Sequence, residues 1–235
     1  MNYIEHIIEP RKLLLTWQTR VPEHKDRMRR IVAELVRNGD DANLVYRWGT
    51  PEFDEAKDLG FDGYSGFDIE QDTHENVLAA FMKRLPPKKR GDFYKFLNAI
   101  RIKDKSEISD FALLGYSGAR LPDDDFTVIN SFSDVEPPFE LLATVEGYRY
   151  HQDKIPLSSL EEGMPALFQY EPDNPKDPLA VQIMIKDQPA GYVCRGLHTQ
   201  FHEWFDKGYN VTATVERING TEERPQIYLY VKVRP

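Results

Sequence analysis

At 235 residues the chain is long enough for one large or two small domains, each with its own core. Apolar residues make up 40%, and the single cysteine, Cys194, excludes an internal disulfide framework and fits a reducing compartment. The net charge is −9, and acidic side chains outnumber basic ones in both 1–137 and 138–235. That excludes a basic body gripping long duplex DNA through many phosphates, so any nucleic-acid contact must be a local patch.

The opening residues, Met1 to Pro10, carry neither a basic nor an apolar leader region. No apolar run approaches the ~20 residues that span a bilayer, so the expected location is the cytoplasm. Lys12 to Trp17 reads as a strand. Arg30 to Val36 and Ala42 to Trp48 read as a hairpin about Asn38-Gly39, a turn pair that tolerates positive φ. Thr50-Pro51 marks a helix start, with Thr50 as cap and Pro51 as first helical residue. From Asp72 to Ile102 the period turns helical. Val77, Leu78, Phe81, Met82 and Leu85 share one face, Pro86-Pro87 breaks the helix, and Phe93, Phe96, Leu97 and Ile100 line a second. A third short helix is expected between a cap at Ser109 or Asp110 and a stop at Gly115. The acidic, proline-bearing stretch from Leu121 to Pro138 reads as a linker. Beyond Glu140 strands return, with one helix over Leu197 to Lys207.

In the first half, the strand ending in Trp17, Ile31-Val-Ala-Glu-Leu35 and Leu44-Val-Tyr46 are followed by Asn76-Val-Leu78, Phe81, Arg84-Leu-Pro86 and Arg90. Phe111-Ala-Leu-Leu-Gly115 and Gly118-Ala119 complete the set. This set resembles the N-terminal subdomain of HipA-type serine/threonine kinases over Lys12 to Ile129. The resemblance implies a docking module for such a kinase or for its antitoxin partner. No kinase core follows it here.

In the second half, Glu171-Pro-Asp-Asn-Pro-Lys-Asp-Pro178 has two proline-interrupted turns' worth of short polar residues between the β-like runs Pro165 to Tyr170 and Ala180 to Ile185. Rigid polar loops of this kind are where a β scaffold commonly carries binding groups. Together with Gly147-Tyr-Arg-Tyr-His151 and Gly191-Tyr-Val-Cys-Arg195, the loop resembles the core of the HIRAN domain over Glu140 to Val233. The resemblance implies a small OB-like β-barrel that binds single-stranded DNA. It places Arg149, Tyr150, His151, Asn174, Lys176, Asp177, Tyr192 and Arg195 on the nucleic-acid surface. Tyr150 would stack on a base and Arg149 and Arg195 would meet phosphates, while Asp177 would accept from a terminal 3′-hydroxyl. Lys176 departs from the family, where an aromatic commonly stands, so one stacking face is replaced by a cation.

Blander readings exist for each. Tyr148 and Tyr150 alternate, so in a strand either can be the core residue. Asn174 and Asp177 can simply close the turn, Arg195 can be a solvated residue at a helix start, and Tyr192 can be packing. Cys194, His198 and His202 repeat every four residues, but three ligands along two helical turns span ~12 Å, too far for one ion. Asp123-Asp-Asp125 could hold a cation and is more simply a solvated loop. Gly-x-Ser-x-Gly, the phosphate-binding Gly-x4-Gly-Lys-Ser/Thr and His-Glu-x-x-His are all missing, so no enzyme and no cofactor are expected.

The expected architecture is an α+β module over 1–134 followed by a mainly-β small barrel over 138–235. The expected role is a non-enzymatic adaptor, docking a HipA-like kinase or antitoxin and binding single-stranded DNA, with 3′ ends preferred. The alternatives are an end-binding protein of repair or phage defence, and a pure protein-interaction module.

Overall fold

The computed structural model describes residues 1–21, 28–122, 124–133, 135–221 and 223–235. These fall into two compact units, one of residues 8–100 and 104–132, the other of 1–7, 101–103 and 133–235. Residues 1–7 and 101–103 thus belong to the same unit as the C-terminal sequence. Asp134, the expected end of the first module, lies outside the described residues.

In the first unit, Leu13, Leu14 and Leu15 are all buried, as a strand covered on both faces requires, and they form the middle of β1 (Lys12–Trp17). β2 (Arg30–Asn38) and β3 (Asp41–Tyr46) make the expected hairpin, with Gly39 at φ 59 in its turn. Helix α1 (Pro51–Asp58) starts as the sequence indicates: Thr50 Oγ1 accepts from Phe53 N–H, and Pro51 takes a position needing no donor. β4 (Thr73–His74) and the short helices α2 (Leu78–Met82) and α3 (Phe93–Ala99) follow. Helix α4 (Asp110–Ser117) is capped by Ser109 and ends at Gly118 in the left-handed region, not at Gly115. Gly115 is instead a packing residue inside the helix. A Cβ there would lie 2.6 Å from Leu13 Cδ2 and 3.0 Å from Asn130 Cβ.

The expected linker is also corrected. Within it β5 (Phe126–Ile129) pairs antiparallel with β1, and Val128 is fully buried, giving the sheet order β4-β3-β2-β1-β5. Nearby acids are used internally. Asp124 pairs with the buried Arg84, and Asp125 pairs with Arg20, while Asp123 lies outside the described residues. Among the described residues no group of acids, histidines and cysteine is arranged to hold a metal ion.

The second unit is built on β6 (Phe139–Thr144), β7 (Pro165–Tyr170), β8 (Val181–Ile185), β9 (Gln188–Tyr192), helix α5 (Arg195–Asp206), β10 (Asn210–Gly220) and β11 (Pro225–Arg234). All pairings are antiparallel, in the order β6-β11-β10-β7-β8-β9. Leu197, Phe201 and Trp204 share one face of α5 at helical spacing and are buried; Trp204 meets Phe139 edge-on at 5.3 Å. The sheet is not the closed barrel expected. β7 pairs with β10 through two residue pairs, and among the described residues β6 and β9 do not pair; Glu146, just past β6, forms an isolated bridge to Tyr192. Closure stops there because Gly147, at φ 77, turns the chain out of the strand direction directly afterwards. The architecture is therefore mixed α and β with two antiparallel sheets. Among the described residues no helix is long and apolar enough to cross a membrane.

Candidate nucleic-acid interface

The Gly147 turn leads into a 3-10 helix, Tyr148–Tyr150, where the sequence suggested a strand. This resolves the two tyrosines. Tyr148 is buried and its hydroxyl donates to Ile155 O at 2.6 Å, whereas Tyr150 is 69% exposed. The Arg149 guanidinium lies 4.6 Å from the Tyr150 ring centroid and also donates to its hydroxyl. A ring presented to solvent on a turn anchored by its buried neighbour is already oriented before any ligand arrives.

His151 ends that turn with its ring centroid 5.9 Å from Tyr192. Burial, reinforced by Lys154, lowers the His151 pKa, so near neutral pH it is held towards the uncharged form. Tyr192 reaches this position through Gly191, whose φ of 148 and close approach leave no room for a side chain. A Cβ there would meet Glu146 O at 2.4 Å. The Tyr192 hydroxyl accepts from Gln182 Nε2 at 3.4 Å, and burial raises its pKa.

The polar loop between β7 and β8 packs beside these residues. Asn174 Oδ1 accepts from the backbone N–H of Lys176 and Asp177, closing the turn, while its Nδ2 donates to Glu171 Oε2 at 2.6 Å. Asp177 Oδ1 accepts from Leu179 N–H at 3.0 Å, and its Oδ2 accepts from Arg195 Nε at 3.1 Å. The Nε2 of His198 lies 3.4 Å from that same oxygen. Lys176 is exposed on the loop, and Arg195 opens helix α5.

All eight residues singled out in the sequence therefore lie on three neighbouring segments of one unit. Two of them have another engagement: Asp177 and Arg195 are bound to each other rather than both facing outward. Three contributors were missed as partners of this surface. Glu171 accepts from Asn174, Gln182 stands opposite Tyr192 in the β8–β9 register, and His198 backs Asp177. His198 was visible three residues after Arg195, which puts both on one side of a helix. His202 donates to Leu179 O and stacks on Tyr170 at 4.0 Å, so both histidines of the repeat serve packing and loop attachment.

No protein-family model matches the chain, and no curated protein is similar to it in sequence. Two solved structures are similar to parts of it. A crystal structure of the HIRAN domain of human HLTF is 18% identical, covering 40% of this chain and 74% of that one, with a TM-score of 0.34. A protein from Lactobacillus plantarum is 24% identical, covering 40% of this chain and 92% of that one, also with a TM-score of 0.34.

Proposed function

We propose that the second unit binds single-stranded DNA, without catalysis, through Arg149, Tyr150, His151, Lys176, Tyr192 and Arg195. The observation that carries this is Tyr150: a solvent-facing aromatic on a fixed turn, with a guanidinium laid against it and two further cations on adjacent segments. A base stacked on an aromatic contributes about 1–3 kcal/mol whatever its identity, while nearby cations meet phosphates. With about three phosphates neutralised, the slope of log affinity against log salt is about −2. The preference for 3′ ends that the HIRAN resemblance implies is the narrower part of the proposal. It needs Asp177 to accept from a terminal hydroxyl although its carboxylate already holds Leu179 N–H and Arg195. Fluorescence anisotropy of the full chain with labelled single-stranded DNA, the same sequence as RNA, and 3′-hydroxyl against 3′-phosphate ends tests each part. No binding at low salt leaves the surface to a protein ligand instead. Docking of a HipA-like kinase or antitoxin by the first unit rests on sequence resemblance, and co-purification with a neighbouring kinase tests it.

A further inference from the structure

Arg195 is one of the cations a strand would need, yet its Nε–H is given to Asp177 Oδ2 at 3.1 Å. The pair is largely shielded, with side-chain exposures of 19% and 15%. Behind it stands His198, itself only 10% exposed at the side chain, with Nε2 3.4 Å from the same carboxylate oxygen. The His198 tautomer is set from its other side. Nδ1 accepts from Thr199 N–H at 2.6 Å, so Nε2 carries the proton and points it at Asp177. The carboxylate is thus fixed by the Leu179 amide on one oxygen and by Arg195 and His198 on the other.

We propose that Asp177 is a built-in competitor for Arg195: its carboxylate occupies the guanidinium in the unliganded protein, His198 positions it there, and an incoming backbone phosphate displaces it. This rests on the nucleic-acid reading above and adds a regulation to it. The exchange is one anion for another on the same guanidinium, with no change in protonation. The chemistry permits it, because a guanidinium takes phosphate as readily as carboxylate. Asp177 therefore sets a threshold that weakly held anions do not cross. The groups facing His198 are Asp177 from the loop, with Arg195 and His202 from its own helix. Burial, Arg195 and His202 lower its pKa, and Asp177 opposes them.

The test uses the full chain and a labelled single-stranded oligonucleotide ending in a 3′-phosphate, which offers Asp177 no terminal hydroxyl. Asp177→Asn keeps an oxygen for Leu179 N–H but loses the charge, and affinity should rise about threefold, the scale of a partly screened ion pair. Asp173→Asn, an exposed acid on the same loop, controls for simple loss of negative charge and should change affinity less. The gain from Asp177→Asn should vanish in an Arg195→Gln background. Equal gains at 173 and 177, a gain that survives Arg195→Gln, or a loss on Asp177→Asn each overturns the exchange. A second readout needs no nucleic acid: by NMR, the His198 imidazole should titrate at lower pH in Asp177→Asn. An unchanged titration overturns the clasp itself. Failure of the wild type to bind at low salt, with the His198 shift present, defeats the nucleic-acid reading and the exchange together while leaving the contact in place.

Discussion

The second unit contains two kinds of carboxylate–arginine contact, and their settings differ. Glu140 and Glu216 have side chains 1% and 4% exposed. Glu140 accepts from the backbone N–H of Glu5 and His6, from the His6 ring and from Arg234. Glu216 accepts from Asn2 through both backbone and side chain, and from Arg101. Asp177, at the loop rim, holds one amide, one guanidinium and one imidazole at longer range. The lesson concerns cost of removal. A fully buried charge cannot lose a partner without leaving others unpaired, whereas Asp177, with 15% of its side chain open, keeps some access to water. The first kind ties segments of the unit together, and the second is the one proposed to exchange.

The comparison breaks most readily at Glu140. Glu140→Ala leaves the Glu5 and His6 amides without their acceptor while Arg234 keeps the Phe139 and Val233 carbonyls, and should cost about 2–5 kcal/mol. Denaturant unfolding followed by tryptophan fluorescence reports it; a loss below about 1 kcal/mol would mean that the contact is not structural. The same pair has a pH signature. Burial alone would raise both carboxyls, but the donors from His6, Arg234 and Glu5 on Glu140, and from Asn2 and Arg101 on Glu216, outweigh it and hold both below the ordinary 4.5. A depressed folded pKa contributes stability that is fully present above the unfolded value and lost as pH falls through the folded one. Unfolding midpoints should therefore drop below about pH 4.5 in the wild type, and Glu140→Gln with Glu216→Gln should flatten that acid limb.

Gly191→Ala comes next. It forces a side chain onto Glu146 O at a positive φ and should cost about 1–3 kcal/mol, with loss of amide-exchange protection at Glu146 and Tyr192. Tyr150→Ala should weaken strand binding by about 1–3 kcal/mol while leaving stability within about 0.5 kcal/mol, a separation that marks a binding residue. The smallest effect is the sharpest contrast with Glu140. Asp177→Asn should change stability by about 1 kcal/mol or less.

Several features were legible because a local rule decided them. Thr50-Pro51, the Asn38-Gly39 hairpin and the leucine run at 13–15 each needed only their own segment. β5 was not legible, because its partner β1 lies more than a hundred residues away and its acidic neighbours look like linker. The three segments of the candidate surface could be named from their residues, but their pairing could not. Arg195 and Asp177 each read as a ligand group; only the packing of the loop against α5 shows that they neutralise one another. Gly147 likewise gave no sign that it would divert the chain and leave the sheet joined by one bridge.

The participation of residues 1–7 in the second unit has a consequence for synthesis on the ribosome. Asn2 and its acceptor Glu216 are 214 positions apart. At about 5–20 residues per second, roughly 10–40 s pass between their polymerisation. Until then Asn2 and Arg101 lack the carboxylate they share, and His6 waits for its own until Glu140 has been made. Residues 1–7, made before nearly all of the unit they join, are thus among its last parts to be fixed.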